Sequence, residues 1–121
     1  MKVYAHRGYS GRYPENTMLA FKKAAELLVD GIELDVQETK DGVVVIMHDE
    51  WVDRTTDGSG MIKDMTYEEF KKLNASKLYG DKYPVQNPPS FEEYCEWVSK
   101  YPLVTNVELK TSVYYYPEIE E

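Results

Sequence analysis

Apolar residues recur along this chain with two different periods, and the changes between them mark out its elements. "KVYAHRG" reads as a short strand ending in a glycine loop, and the Gly, Ser, Pro and Asn of "YSGRYPENT" make the connection that follows. Met18, Phe21, Ala25 and Leu28 then fall at helical spacing, with Lys22, Lys23 and Glu26 on other faces, Asn16 or Thr17 placed to cap the start, and Gly31 past the end. "IELDVQ" and "VVVIMH" are further strand candidates, and in the first Ile32, Leu34 and Val36 alternate with Glu33 and Asp35. Only "ETKDG" separates the two, which is too short for a parallel crossover, so the second run returns antiparallel as a hairpin. With Asp41 and Gly42 alone as the turn, Asp35 would sit opposite His48. A three-residue loop would shift the register by one and turn the two side chains apart.

From Trp51 to about Pro89 the pattern is irregular and polar around one short helix, "TYEEFKKL". Thr66 and Glu69 form a capping box there, and Met65 with Phe70 a hydrophobic staple. Ser90 and Glu93 repeat the device before "FEEYCEWVSK", where Phe91, Tyr94, Cys95 and Val98 make an apolar stripe. "PLVTNVELK" is the last strand candidate, and Pro117 followed by Glu118, Glu120 and Glu121 marks the start of another helix. The order β, α, β-hairpin, α, α, β specifies an α/β domain with a largely parallel sheet.

Composition narrows the class. The 121 residues, 42% of them hydrophobic, suffice for a single domain over 1–121, with 51–89 as an insertion region. No apolar run reaches the roughly 18 residues of a membrane span, and "MKVYAHRG" lacks the apolar stretch of a secretory leader, so a cytoplasmic protein with no transmembrane segment is expected. One cysteine excludes an intrachain disulfide, and Cys95, within a helical stripe, is expected to fill the core. A net charge of -8 argues against a nucleic-acid partner, because neutralising phosphates needs clustered cations.

The two histidines, His6 and His48, both end strand candidates. Ligands of an α/β sheet bind beyond the carboxyl ends of its strands, and His6, Glu33, Asp35, Glu108 and Lys110 all lie at or near such ends. A solvated face is the alternative for the three acids, one more at home in an antiparallel sheet than in a parallel sheet covered by helices. Brought together, three carboxylates repel one another unless a cation holds them, and their hard oxygens select Mg²⁺, Ca²⁺ or Mn²⁺ over zinc. Arg7 offers a planar fork for phosphate oxygens and Lys110 a point charge, which implies an anionic substrate. Two imidazoles complete a phosphoryl-transfer set, one to deprotonate the attacking hydroxyl and one to protonate the departing alkoxide.

"AHRGYSGRYPENT", "GIELDVQETKDGVVVIMHDEWVDRTTDGSG" and "NVELK", in that order, resemble the glycerophosphodiester phosphodiesterase family over almost the whole chain. The resemblance implies a partial (β/α)8 TIM barrel, roughly its first half, with a β-hairpin and a small helical insertion after the second strand. It implies metal-dependent hydrolysis of a small-molecule glycerophosphodiester to an alcohol and glycerol 3-phosphate. His6 and His48 would be the acid and base, Glu33, Asp35 and Glu108 would hold one Mg²⁺ or Ca²⁺, and Arg7 and Lys110 would contact the phosphate. Glu15 and Asn16 match the family's "PENT" loop. A whole barrel takes about 250 residues. A half sheet leaves an open edge and an apolar inner face, so a homo-oligomer that covers them is expected. Two other readings are a non-catalytic oligomeric half-barrel module that keeps the metal site, and a phosphodiesterase acting on another phospholipid-type head group.

Overall fold

A computed structural model of the chain describes residues 2–109. Its elements are β1 (Tyr4–His6), α1 (Met18–Glu26), β2 (Gly31–Glu38), β3 (Val44–Ile46), α2 (Tyr67–Phe70), α3 (Phe91–Val98) and β4 (Val104–Leu109), with single 3-10 turns at Ile62–Asp64 and Lys77–Tyr79. Lys110 and the expected helix start at Pro117 lie outside the described residues.

β2 is the centre of a four-stranded sheet. β1 and β4 flank it, both parallel, and β3 returns antiparallel along its second half. Alternation along β2 sorts its side chains between two environments. Ile32, Leu34 and Val36 face the helices and join Phe21, Ala24, Ile46 and Tyr94 in the main core, every one of them fully buried. The Tyr94 ring meets Phe21 edge-on at 5.0 Å, and its hydroxyl lies 2.8 Å from Thr105 Oγ1, so the largest core side chain is buried with its O–H partnered.

The other face of β2 carries Glu33, Asp35 and Gln37. Strand pairing sets His6 beside Glu33 and Glu108 beside Asp35, so the pleat alone gathers three carboxylates and an imidazole on one face. Beneath them Gly31 is flanked by Tyr4 and Val104. A Cβ at Gly31 would lie 2.5 Å from the Tyr4 ring and 2.6 Å from the Val104 carbonyl oxygen, so only glycine lets that ring lie over the strand. Among the residues that β1, β2 and β4 place on this face, Tyr4 and Val104 alone are large and apolar, and Val45 and Met47 of the hairpin are covered by the second core described below. The face is therefore mainly polar, contrary to the apolar surface expected.

Helix α1 is capped by Thr17, whose Oγ1 accepts the Ala20 N–H at 3.2 Å. It stops earlier than its apolar spacing suggested. Leu28 has φ 59° and is 87% exposed, because the chain turns there to enter β2, and Ala20, Phe21 and Ala24 do the burying. Cys95 is likewise exposed and fills no core. The buried stripe of α3 passes through Phe91, Tyr94, Trp97 and Val98, with the Trp97 ring 5.8 Å from that of Tyr94. Ser90 caps this helix by accepting the Glu93 N–H at 3.1 Å.

The hairpin turns through Lys40, Asp41 and Gly42, with Gly42 at φ 85° and Thr39 bonded to Val43 across the base. Asp35 consequently sits opposite Met47, one residue short of His48, and its backbone carbonyl accepts the Met47 N–H at 3.0 Å. β3 serves two cores: Ile46 points into the first, while Val45 and Met47 join Val52, Ile62 and Phe70 in a second. The unbroken apolar run "VVVIM" is what a strand covered on both faces requires. Residues 51–89 form a unit that is irregular around one short helix and two 3-10 turns, as the sequence pattern suggested, but it also packs on β3 through Val52, Ile62 and Phe70, a core that the pattern did not show. Its capping box is formed, with Thr66 N–H donating to Glu69 at 2.9 Å and Glu69 N–H to Thr66 at 3.3 Å. The Tyr83 ring packs 5.2 Å from Tyr13 and its hydroxyl donates to the Arg12 carbonyl at 2.6 Å, so this unit also braces the loop after β1. Among the described residues, no helix is long and apolar enough to cross a membrane.

Candidate active site

The chain leaves β1 through two left-handed residues, Arg7 at φ 56° and Gly8 at φ 79°. A Cβ at Gly8 would approach Ala20 to 2.9 Å, so the loop lies tight against the first turn of α1. Arg7 bears a backbone cost on the order of 1 kcal/mol in this region. Its surroundings hold it there: its N–H donates to the Glu33 carbonyl at 2.6 Å, and its carbonyl accepts from Asn16 N–H at 2.9 Å. The turn brings Arg7 Nε to 3.5 Å from Asp35 Oδ2 and Nη1 to 3.2 Å from Glu15 Oε1. Asn16, also left-handed at φ 55°, donates from Nδ2 to the same Asp35 oxygen at 3.1 Å.

Glu33, Asp35 and Glu108 each bring one carboxylate oxygen within 4.8 Å of the others. Asp35 is fully buried and Glu108 exposed. Burial pushes the Glu33 carboxyl above the usual range, and the neighbouring charges of Asp35 and Glu108 push the same way. His6 opposes them, its Nε2 lying 3.5 Å from Glu33 Oε1. Two buried oxygens of this trio, Glu33 Oε1 and Asp35 Oδ1, have no hydrogen-bond partner. Hard oxygens held close together and lacking donors suit a hard divalent ion, so these residues fit one.

His48 lies two residues beyond β3, with Nδ1 2.8 Å from Asp49 Oδ1. Gln37, buried on the site face of β2, donates from Nε2 to the carbonyls of Met47, His48 and Asp49 at 2.9, 3.2 and 2.5 Å, which ties this loop to the strand. Arg54 then joins the two loops, reaching Asp49 through Nε at 2.8 Å and Glu15 through Nη2 at 2.8 Å. Ion pairs therefore link Asp35 through Arg7, Glu15, Arg54 and Asp49 to His48, and His6 pairs with Glu33, whose carboxylate lies within 4.8 Å of that of Asp35. Neither Arg54 nor Gln37 stood out in the sequence. Both lie inside the stretch that carried the family likeness, but their partners are set by tertiary contacts that spacing does not encode.

The hydrogen bond from Arg54 holds the Asp49 carboxyl at about 2, against a partial upward push from burial. Burial also pushes Glu15 up, and the hydrogen bonds and charge of Arg54, with Arg7, outweigh it and hold that carboxyl below its usual range. A depressed folded value means that Asp49 contributes stability above its ordinary 3.8 and loses it as pH falls from about 4 towards 2. We expect urea unfolding of the Asp49→Asn variant to lose about 1–2 kcal/mol less than the wild type between pH 5 and pH 2, allowing for solvent screening at half-exposed Arg54. Parallel curves would show that this ion pair adds nothing.

The model of the Glycerophosphoryl diester phosphodiesterase family matches residues 6–119. The chain belongs to this family. A glycerophosphodiester phosphodiesterase of Caldanaerobacter subterraneus subsp. tengcongensis is 51% identical over 119 residues, which make up 98% of this chain and 49% of that protein. The crystal structure of a glycerophosphodiester phosphodiesterase from Agrobacterium tumefaciens superimposes with a TM-score of 0.86 at 36% identity, over 90% of this chain and 47% of the other. An Oleispira antarctica phosphodiesterase, solved in complex with the product sn-glycerol-3-phosphate, gives 0.86 at 39% identity over 91% and 44%. The chain thus spans about half the length of these relatives, and its sheet and helices are the first part of their TIM barrel.

Proposed function

We propose that this chain carries the site for metal-dependent hydrolysis of glycerophosphodiesters to an alcohol and glycerol 3-phosphate. The observation that carries this reading is the convergence of Glu33, Asp35 and Glu108 beside Arg7 and His6. In the network from His6 to His48, five carboxylates face two guanidinium groups, an excess of negative charge that would repel a phosphodiester. Glu33, Asp35 and Glu108 would hold one Mg²⁺ or Ca²⁺, and when bound the ion supplies positive charge and Lewis acidity towards a phosphoryl oxygen.

Arg7, anchored by Asp35 and Glu15, orients the phosphate through its planar fork, and Lys110 adds a second positive contact. His6 and His48 divide the proton transfers: one takes the proton of the attacking hydroxyl, and the other gives one to the alkoxide as its P–O bond breaks. A glycerol hydroxyl is the first nucleophile, and water then opens the cyclic phosphate, so the sum of the two steps consumes one water. The glycerol 3-phosphate bound in the Oleispira antarctica structure supports this product.

The test is release of glycerol 3-phosphate from glycerophosphocholine by this chain with Mg²⁺ or Ca²⁺. Turnover is expected to fall to background on chelation and to return with the ion. Because the chain spans about half of its relatives and Glu108 is exposed, a second reading is an oligomeric module that keeps the cation site without turnover. Calorimetric cation binding, sedimentation as a dimer or larger assembly, and no product from glycerophosphocholine would favour that reading. Turnover only on other phospholipid-type head groups would keep the chemistry and change the substrate.

A further inference from the structure

We propose that Arg54 is a positioning residue for His48: by gripping the Asp49 carboxylate it keeps the imidazole in one tautomer, with Nδ1 protonated and Nε2 free to exchange a proton with substrate. This rests on the reading of His48 as one of the two proton-transfer groups. The inference comes from how the fork of Arg54 is spent. Nε donates to Asp49 Oδ2 at 2.8 Å and Nη2 to Asp49 Oδ1 at 3.1 Å, so both oxygens are held and the plane of the carboxylate is set. Nη1 and Nη2 also donate to the two oxygens of Glu15 at 3.2 and 2.8 Å, which fixes the guanidinium from its other side.

Asp49 Oδ1 is shared between Arg54 and His48 Nδ1, and a ring nitrogen 2.8 Å from a carboxylate oxygen takes the donor role. Gln37 already restrains the backbone here by donating to the carbonyls of His48 and Asp49. What is left free is rotation of the Asp49 carboxylate and of the imidazole, and Arg54 removes the first and through it the second. Glu15 contacts Arg7 as well, so the same grip holds the loop of the proton-transfer group in step with the loop of the phosphate-binding arginine. A lysine could supply the charge at position 54 but not the bidentate geometry.

Arg54 is 43% exposed, and what its pair with Asp49 is expected to contribute is only a fraction of a domain's folding free energy, so replacing it is expected to leave the fold intact. The chain has only two histidines, which makes the experiment direct. Long-range nitrogen–proton NMR correlation on histidine-labelled protein at neutral pH, with His48 assigned by its absence in His48→Asn, reads the tautomer without needing turnover. Wild type is expected to show His48 protonated on Nδ1, and Arg54→Gln and Arg54→Lys to show the Nε2-protonated form rising several-fold. Where turnover is measurable, kcat is expected to fall roughly tenfold, the loss typical when the group orienting a reactive imidazole is removed, with KM changing much less.

Should Arg54→Gln fail to fold, Arg54→Lys, which keeps the charge, supplies the same reading. An unchanged tautomer in the folded variants overturns the proposal, whatever happens to kcat. A changed tautomer in a chain that releases no product supports the positioning by Arg54 and sinks the hydrolytic reading instead.

Discussion

Replacing Asp35 with alanine is expected to lower the folding free energy by about 3 kcal/mol and to abolish binding of a divalent cation. Asp35 is fully buried on β2, and its Oδ2 accepts from Asn16 Nδ2 and faces Arg7 Nε. Truncation leaves a largely buried guanidinium without its counter-charge and a buried amide without its acceptor, and stranded groups of that kind are costly. Some of the loss is offset, because Glu33 is relieved of a like-charged neighbour. Urea unfolding in chelator measures the first effect, and calorimetric titration with Mg²⁺ or Ca²⁺ the second. A variant as stable as the wild type would show that Asp35 does not join the loop to the sheet.

His6→Ala should behave in the opposite way: a loss of about two to four orders of magnitude in turnover, with stability almost unchanged. The imidazole is 63% exposed, and its 3.5 Å approach to Glu33 is too long and too wet to stabilise the fold appreciably. His6 is also outside the trio of carboxylates, so cation affinity is expected to hold within a few-fold. The measurement is glycerol 3-phosphate release at saturating glycerophosphocholine, beside thermal unfolding of the same preparation. A rate within fivefold of the wild type would remove His6 from the chemistry. Read together, the two variants separate a group that builds the site from one that acts in it.

Much of this was legible before any coordinates. Glu33 and Asp35 alternating with Ile32, Leu34 and Val36 stated that one strand serves a core and a polar face, and Thr66 and Glu69 announced the start of α2. Such signals are local, set by the pleat or by one helical turn. The failures have a common cause in contacts made far along the chain. Leu28 and Cys95 kept helical spacing, but where α1 ends and which face α3 turns inward depend on what packs against them. The second core escaped notice because Val45, Met47, Val52, Ile62 and Phe70 come together across a stretch with no period of its own. Arg54 was invisible for a related reason: Glu15 lies 39 residues before it, and nothing in either stretch names the other.

The divided loyalty of β2 also limits how this part of the family's fold can evolve. Side chains along Gly31–Glu38 can be exchanged singly, hydrophobe for hydrophobe, with modest cost. Gaining or losing one codon inside the strand is another matter. Every later residue would swap sides, delivering carboxylates to Phe21 and Tyr94 and apolar side chains to the cluster of acids. Length variation should therefore gather in the turn at Lys40–Gly42 and in the 51–89 unit, leaving the eight-residue strand as a fixed ruler among its descendants.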